Sequence, residues 1–296
     1  MVHLGVVWNI ESMSSPETLS AAPSMSLRFW GVRGSVPCPD ADALRYGGNT
    51  ACVEIRCGEH VLIFDAGTGI RRLGDMLTTE RRFMKIDLFL SHYHIDHIIG
   101  LPFFSPLYSA EYTVSLWGGQ LRPANGAEHA LRRLMSDPLF PIQVRDIRAD
   151  FKFRDFRTGD ILTPQPDIVI RTAPLRHPGG ATGYRIEYRG RSVAYLTDTE
   201  FPDNVIDSEI LALAHNADLV ILDCTYTDEE LPLYLGWGHA SWQQGIQFAN
   251  NSNSKQLCLY HHDQKHNDEF MDTVAKAAEA ARPGTIVAYE GLQIDL

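Results

Sequence analysis

The stretch Ser91-His92-Tyr93-His94-Ile95-Asp96-His97 places three imidazoles and a carboxylate within six positions. Neutral imidazole with carboxylate is the donor set that borderline divalent metals prefer. In an extended segment His92 and His94, two residues apart, point the same way. Asp96 and His97, on the turn beyond, reach a second point nearby. That arrangement suggests two metal ions rather than one. A single strand-end motif cannot complete both coordination shells, so further ligands must come from elsewhere in the chain.

The elements that would position them can be read from the surrounding pattern. In residues 85–90 the apolar Ile86, Leu88, Phe89 and Leu90 give the signature of a buried strand that breaks at Ser91, and Gly100 and Pro102 follow the motif. The motif therefore sits on the loop that leaves a strand, with a short helix expected after it. Other apolar runs end in the same chemistry. His177 follows the strand expected at 167–173, Asp198 closes the one at 191–198, and His261 and His262 leave the one at 255–261. Further strands are expected at 26–31, 51–57, 60–67, 113–118, 183–190, 217–224 and 284–290. Helical patterns cover 70–79, 126–136, 204–214, 241–251 and 267–281. The segment 183–196 reads as a hairpin, so the α/β fold should contain mixed sheets.

Composition bounds the function. The chain has 296 residues, 44% of them hydrophobic, enough for a large core. Its net charge of −11 disfavours a long nucleic acid as partner, since that needs a basic surface. Five scattered cysteines (Cys38, Cys52, Cys57, Cys224 and Cys258) contain no Cys-x-x-Cys pair and read as reduced thiols of a cytoplasmic protein. No apolar run reaches membrane-spanning length. Residues 1–25, rich in Ser, Pro and Ala, read as a disordered extension ahead of a single domain at 26–296, and they lack the basic leader of a secretory signal.

Taken in order, His92-x-His94-x-Asp96-His97, His177, Asp198 and His261 resemble the metal-ligand set of the metallo-β-lactamase superfamily. The stretches "GVRGSVPCP", "RYGGNTACVEI" and "GYRIEYRGRSVAYLTDT" resemble its branch of ribonuclease Z and small bacterial phosphodiesterases. The resemblance runs from Leu27 onward and implies a four-layer αββα sandwich of two mixed sheets, with two metals at one edge. It implies that His92, His94 and His177 hold the first ion, Asp96, His97 and His261 the second, and that Asp198 bridges them. Strand-end position favours His261 over His262. Asp65, in "FDAG", would brace the metal-binding loop, and His239, in "GWGHAS" beside a helix capped by Ser241 and Gln244, would donate to a phosphate oxygen or protonate the leaving alkoxide. Arg33 and Asn49, in Gly-rich loops, are expected to line the substrate.

Two ions about 3.5–4 Å apart lower the pKa of a shared water, and the resulting hydroxide can attack a phosphodiester, lactone or thioester. Zinc is the expected ion, with manganese and iron also suited. Asp96, Asp198 and His239 are the expected catalytic residues. The enzymes of the branch that mature tRNA 3′ ends carry a tRNA-binding arm between the counterparts of His177 and Asp198. A single tight hairpin stands there in this chain. The expected substrate is therefore a small or cyclic phosphodiester, a cyclic nucleotide among the candidates. The rivals are a lactonase or thioesterase, a tRNA 3′-processing endonuclease, and a non-catalytic metal-binding sensor. No membrane partner is expected, and a homodimer is compatible with these features.

Overall fold

The computed structural model describes residues 25–119 and 126–296. The expected extension at 1–25 lies outside the described residues except for Met25, which is fully buried and opens the first strand. The first half of the chain runs β1 (Met25–Gly31), β2 (Cys52–Cys57), β3 (His60–Phe64), α1 (Ile70–Glu80), β4 (Lys85–Leu90), α2 (Ile95–Ile98), β5 (Thr113–Gly119), α3 (Ala127–Leu134) and β6 (Asp150–Phe156). The second half runs β7 (Ile161–Gln165), β8 (Ile168–Leu175), β9 (Ala181–Tyr188), β10 (Arg191–Leu196), α4 (Ser208–Ala214), β11 (Leu219–Asp223), α5 (Trp242–Asn251), β12 (Gln256–Tyr260), α6 (Asp268–Ala281), β13 (Ile286–Val287) and β14 (Gln293–Asp295).

Two seven-stranded sheets result, ordered β14-β1-β2-β3-β4-β5-β6 and β13-β12-β11-β10-β9-β8-β7. Each is mixed. In the first, the pairs from β14 to β3 are antiparallel and those from β3 to β6 parallel. In the second, β7 to β10 pair antiparallel and β10 to β13 parallel. The sheets pack face to face through Phe29, Phe64, Phe89, Tyr184, Tyr195, Ile221 and Tyr260. The outer face of the first sheet is covered by α1 and α3 through Ile70, Leu73, Leu77 and Leu131. That of the second is covered by α4, α5 and α6 through Ile210, Phe248, Met271 and Ala278. The layering is the expected αββα. It explains why β11 is apolar from Leu219 to Leu222 and β4 nearly so from Ile86 to Leu90: both of their faces are buried, and Asp87 in β4 is satisfied by Trp117 and Gln165.

Two expectations are corrected. The helix read at 204–214 begins only at Ser208, because Asp203 and Asn204 hold left-handed φ values of 54° and 58° and Asp207 supplies the cap, accepting from Glu209 N. Strands β6, β7 and β14 were not legible. β6 and β14 end the first sheet and β7 ends the second; they carry exposed polar residues and, in β7, Pro164. Among the described residues no helix is long and apolar enough to cross a membrane.

Candidate metal centre

The parallel strands aim their carboxyl ends at one edge of the sandwich, and every member of the cluster sits just beyond such an end or on a neighbouring loop. β3 delivers Asp65, and β4 delivers the His92–His97 motif, whose short helix α2 starts inside it at Ile95. From the second sheet β10 delivers Asp198, β11 ends in Asp223, and β12 delivers His261. β10, β11 and β12 are adjacent and parallel, so these three side chains leave neighbouring strand ends. Asp65, Asp198 and His261 all adopt left-handed backbone, with φ of 61°, 58° and 64°. That conformation is costly for residues with a Cβ and is typically retained where function needs it.

The donors form two groups on either side of Asp198. His92, His94 and His177 lie within 4.8 Å of one another at their ligating atoms, as do Asp96, His97 and His261. Asp198 faces both groups with different oxygens. Its Oδ2 lies 3.5 Å from His92 Nε2 and 3.6 Å from His177 Nε2. Its Oδ1 lies 3.4 Å from His97 Nε2 and 3.2 Å from His261 Nε2. Asp96 Oδ2 closes the second group at 3.2 Å from His97 Nε2 and 3.4 Å from His261 Nε2.

The imidazole tautomers are set from behind. His97 Nδ1 donates to Asp65 Oδ2 (2.8 Å), His177 Nδ1 to the Gly238 carbonyl (2.9 Å), and His261 Nδ1 to Thr225 Oγ1 (3.1 Å). Their Nε2 lone pairs then converge. His97 Nε2 and His261 Nε2 stand 3.3 Å apart, and the buried His92 Nε2 has no hydrogen-bond partner. Facing lone pairs beside two carboxylates repel unless a cation lies among them. The acid–base balance agrees. Burial opposes charge on His97, yet Asp198, Asp96 and Asp65 raise its pKa well above the usual imidazole value. Burial would likewise raise the Asp198 pKa, but His261, His97 and His92 hold it well below the carboxylate range. The donor set fits divalent ions.

Asp65 is fully buried and accepts from Ser91 N (2.7 Å), His97 and Tyr195 Oη (2.8 Å), tying β3, β4 and β10 together. His239 is engaged by Asp223, which receives its Nδ1 at 2.7 Å. Burial alone would lower the His239 pKa; Asp223, with Asp198 and Asp96 behind it, raises it to about 9. Its ring lies 5.2 Å from that of His177 and 5.0 Å from that of His261. His262 does not join the cluster: it is buried behind it, donating Nε2–H to the Ala288 carbonyl at 2.8 Å.

Arg33 and Asn49 are corrected. The Arg33 guanidinium is fully buried and donates to the carbonyls of Gly47, His266, Asp263 and Ala43, cross-linking two loops rather than facing a substrate. The Asn49 amide is held by both carboxylate oxygens of Glu290. The sequence reading missed Asp223, Ser91, Thr225 and Glu200. Asp223 ends an apolar strand, the same signal that marked Asp198. Glu200 Oε2 accepts from Gly236 N (3.1 Å) and Gly238 N (3.3 Å), holding the turn whose carbonyl orients His177.

A family model described as Beta-lactamase superfamily domain matches residues 60–262, and the chain belongs to that family. A Ribonuclease Z from Synechococcus sp. (strain WH7803) is 23% identical over 339 residues, covering 92% of this chain and 96% of that protein. Among solved structures, the metallo-β-lactamase fold protein YhfI from Bacillus subtilis matches with a TM-score of 0.70 at 19% identity, covering 91% of this chain and 98% of its own. A diphosphatase of the PhnP family matches with a TM-score of 0.69 at 18% identity, covering 92% and 98%. With the clustered donors, this membership makes the protein a metal-dependent hydrolase of the metallo-β-lactamase superfamily.

Proposed function

We propose that the protein is a dinuclear phosphodiesterase acting on a small or cyclic phosphodiester. The observation that carries this reading is the division of Asp198 between the two donor groups, Oδ2 toward His92 and His177 and Oδ1 toward His97 and His261. In this reading His92, His94 and His177 hold one divalent ion, Asp96, His97 and His261 hold the other, and Asp198 spans both. Zinc suits such a set best, and manganese or iron can take the same ligands because no thiolate is present. Bound there, a pair of ions supplies Lewis acidity toward phosphoryl oxygens and makes water a nucleophile near neutral pH.

The chain's own groups do the rest. Asp65, Gly238 and Thr225 fix the imidazole tautomers. His239, held at Nδ1 by Asp223, keeps Nε2 for the substrate. Asp223, which receives its Nδ1–H, favours the protonated imidazole, and in this reading His239 donates to the leaving oxygen. The small substrate is supported by the β9–β10 hairpin, which turns at Arg189-Gly190 and is all that lies between the loop of His177 and Asp198. The alignment with Ribonuclease Z spans 339 positions, more than the 296 residues of this chain, so that relative carries insertions this chain lacks.

The likeness to Ribonuclease Z over 92% of the chain favours a second reading, tRNA 3′ processing. One panel separates them. Metal-loaded protein is assayed on bis(p-nitrophenyl) phosphate, cyclic nucleotides, an acyl-lactone and a precursor tRNA. Diester turnover with little tRNA cleavage supports the proposal. Efficient tRNA cleavage supports the second reading, and lactone turnover with inert diesters overturns both.

A further inference from the structure

Of the first donor group, His92 and His94 share the motif that leaves β4, whereas His177 comes from the loop between β8 and β9. That loop continues as Pro178-Gly179-Gly180, and both glycines hold left-handed φ, at 87° and 85°. Glycines give a chain freedom rather than rigidity. A ligand distance tolerates only about 0.2 Å, so His177 must be fixed from outside its own loop.

Glu200 grips it twice. Its backbone N donates to the carbonyl of Arg176, the residue before His177, at 3.0 Å. Its side-chain Oε2 accepts from both Gly236 N (3.1 Å) and Gly238 N (3.3 Å), and the Gly238 carbonyl accepts from His177 Nδ1 (2.9 Å). One residue thus holds the main chain leading into His177 and, through the 236–238 turn, its ring. It stands two residues after Asp198, so it also ties His177 to the carboxylate that divides the donors. The turn needs that hold: Gly236 and Gly238 are left-handed, with φ of 82° and 88°. Gly238 also lies so close to the ring that a Cβ on it would stand 2.2 Å from His177 Nδ1. If the Glu200 oxygen leaves, two backbone N–H groups lose their acceptor and the Gly238 carbonyl is no longer aimed. A neutral imidazole without an acceptor at Nδ1 can carry its proton on Nε2 instead, and that nitrogen then has no lone pair for a metal. His92, His97 and His261 are braced by Ser91, Asp65 and Thr225, so the effect stays with His177.

We propose that Glu200 is the positioning residue of the first metal position, and that it acts by the reach of its side chain rather than by its charge. This rests on the ligand assignment of the proposed function. Reach and charge can be separated because both glycine N–H groups go to a single oxygen. The amide oxygen of a glutamine supplies the same acceptor at the same length, whereas an aspartate keeps the charge and is one methylene too short.

The test titrates metal-free full-length protein with zinc against a chromophoric chelator. Wild type and Glu200→Gln should both bind two ions tightly. Glu200→Asp should bind one of the two roughly 10–100-fold more weakly, the loss typical of an outer partner, and keep the other at wild-type affinity. In a His177→Ala background, where that site is already impaired, Glu200→Asp should add nothing. A tight Glu200→Asp protein, or a Glu200→Gln protein as weak as Glu200→Asp, would overturn the proposal. So would a loss that persists in the His177→Ala background, since Glu200 would then act elsewhere. Fewer than two ions in the wild type would instead sink the ligand assignment, and the role of Glu200 with it.

Discussion

Gly34 gives the sharpest mechanical test of the second metal position. Its segment is pinned against β12, with Gly34 N bonded to the His262 carbonyl at 3.0 Å. A Cβ built on Gly34 would stand 2.3 Å from His261 Cε1, 2.4 Å from Nδ1 and 2.9 Å from Nε2. Its φ lies outside the left-handed region, so Ala suits the backbone and the whole effect is steric. Ordinary contact begins at 3.4 Å, so the ring must retreat by about 1 Å. It has nowhere to go: His261 is buried, stacked between His97 and His239, and anchored by Thr225. Ligand distances tolerate only about 0.2 Å. Gly34→Ala should therefore cost at least the roughly 10–100-fold in metal affinity typical of losing an outer partner, together with about 1–3 kcal/mol of overpacking. Metal titration and thermal melting read both effects. The pair Gly34→Ala/His261→Ala should regain stability relative to Gly34→Ala alone, yet still lack the second ion. A Gly34→Ala protein with two ions and wild-type turnover would refute the placement of His261.

Asp198→Asn should abolish hydrolysis and lower metal content while the fold persists, because Asp198 lies beyond the strand core; turnover near wild type would remove it from the site. His239→Ala should slow a substrate with an alkoxide leaving group by roughly 10²–10⁴-fold and barely affect p-nitrophenolate release; equal losses on both make His239 a structural group. Burial pushes the His262 pKa down from 6.5 to about 3. Its neutral form contributes stability that is present above about pH 6.5 and lost as pH falls toward 3. His262→Gln should flatten that acid slope in melting curves while keeping both metals, and an unchanged slope would mean that His262 is not buried neutral.

Much of the site was legible because its ligands follow a local rule: an apolar strand, then a carboxylate or imidazole at its exit. The rule located the His92–His97 motif, Asp198 and the His261–His262 pair. It also applied to Asp223, whose strand was recognised but whose carboxylate was passed over. What the sequence could not show depends on distant contacts. Arg33 looked like a free loop arginine among glycines, yet its partners Asp263 and His266 lie 230 and 233 residues away. Ser91 and Thr225 are ordinary hydroxyls until the fold sets them behind His92 and His261. Strand-end position pointed to His261 rather than His262, and in the structure these adjacent residues leave β12 in opposite directions, one toward Asp198 and the other toward Ala288. The edge strands escaped for a different reason: with few residues to bury, they carry little of the apolar signal that marks the rest.

The central claim is that Asp198 divides the donors into two metal positions. Elemental analysis of the full chain, reconstituted with zinc and freed of excess metal, tests it most directly when wild type is compared with His261→Ala. The account predicts two ions per chain in the wild type and one in the variant. One ion or fewer in the wild type, after reconstitution with zinc, manganese or iron, would contradict it.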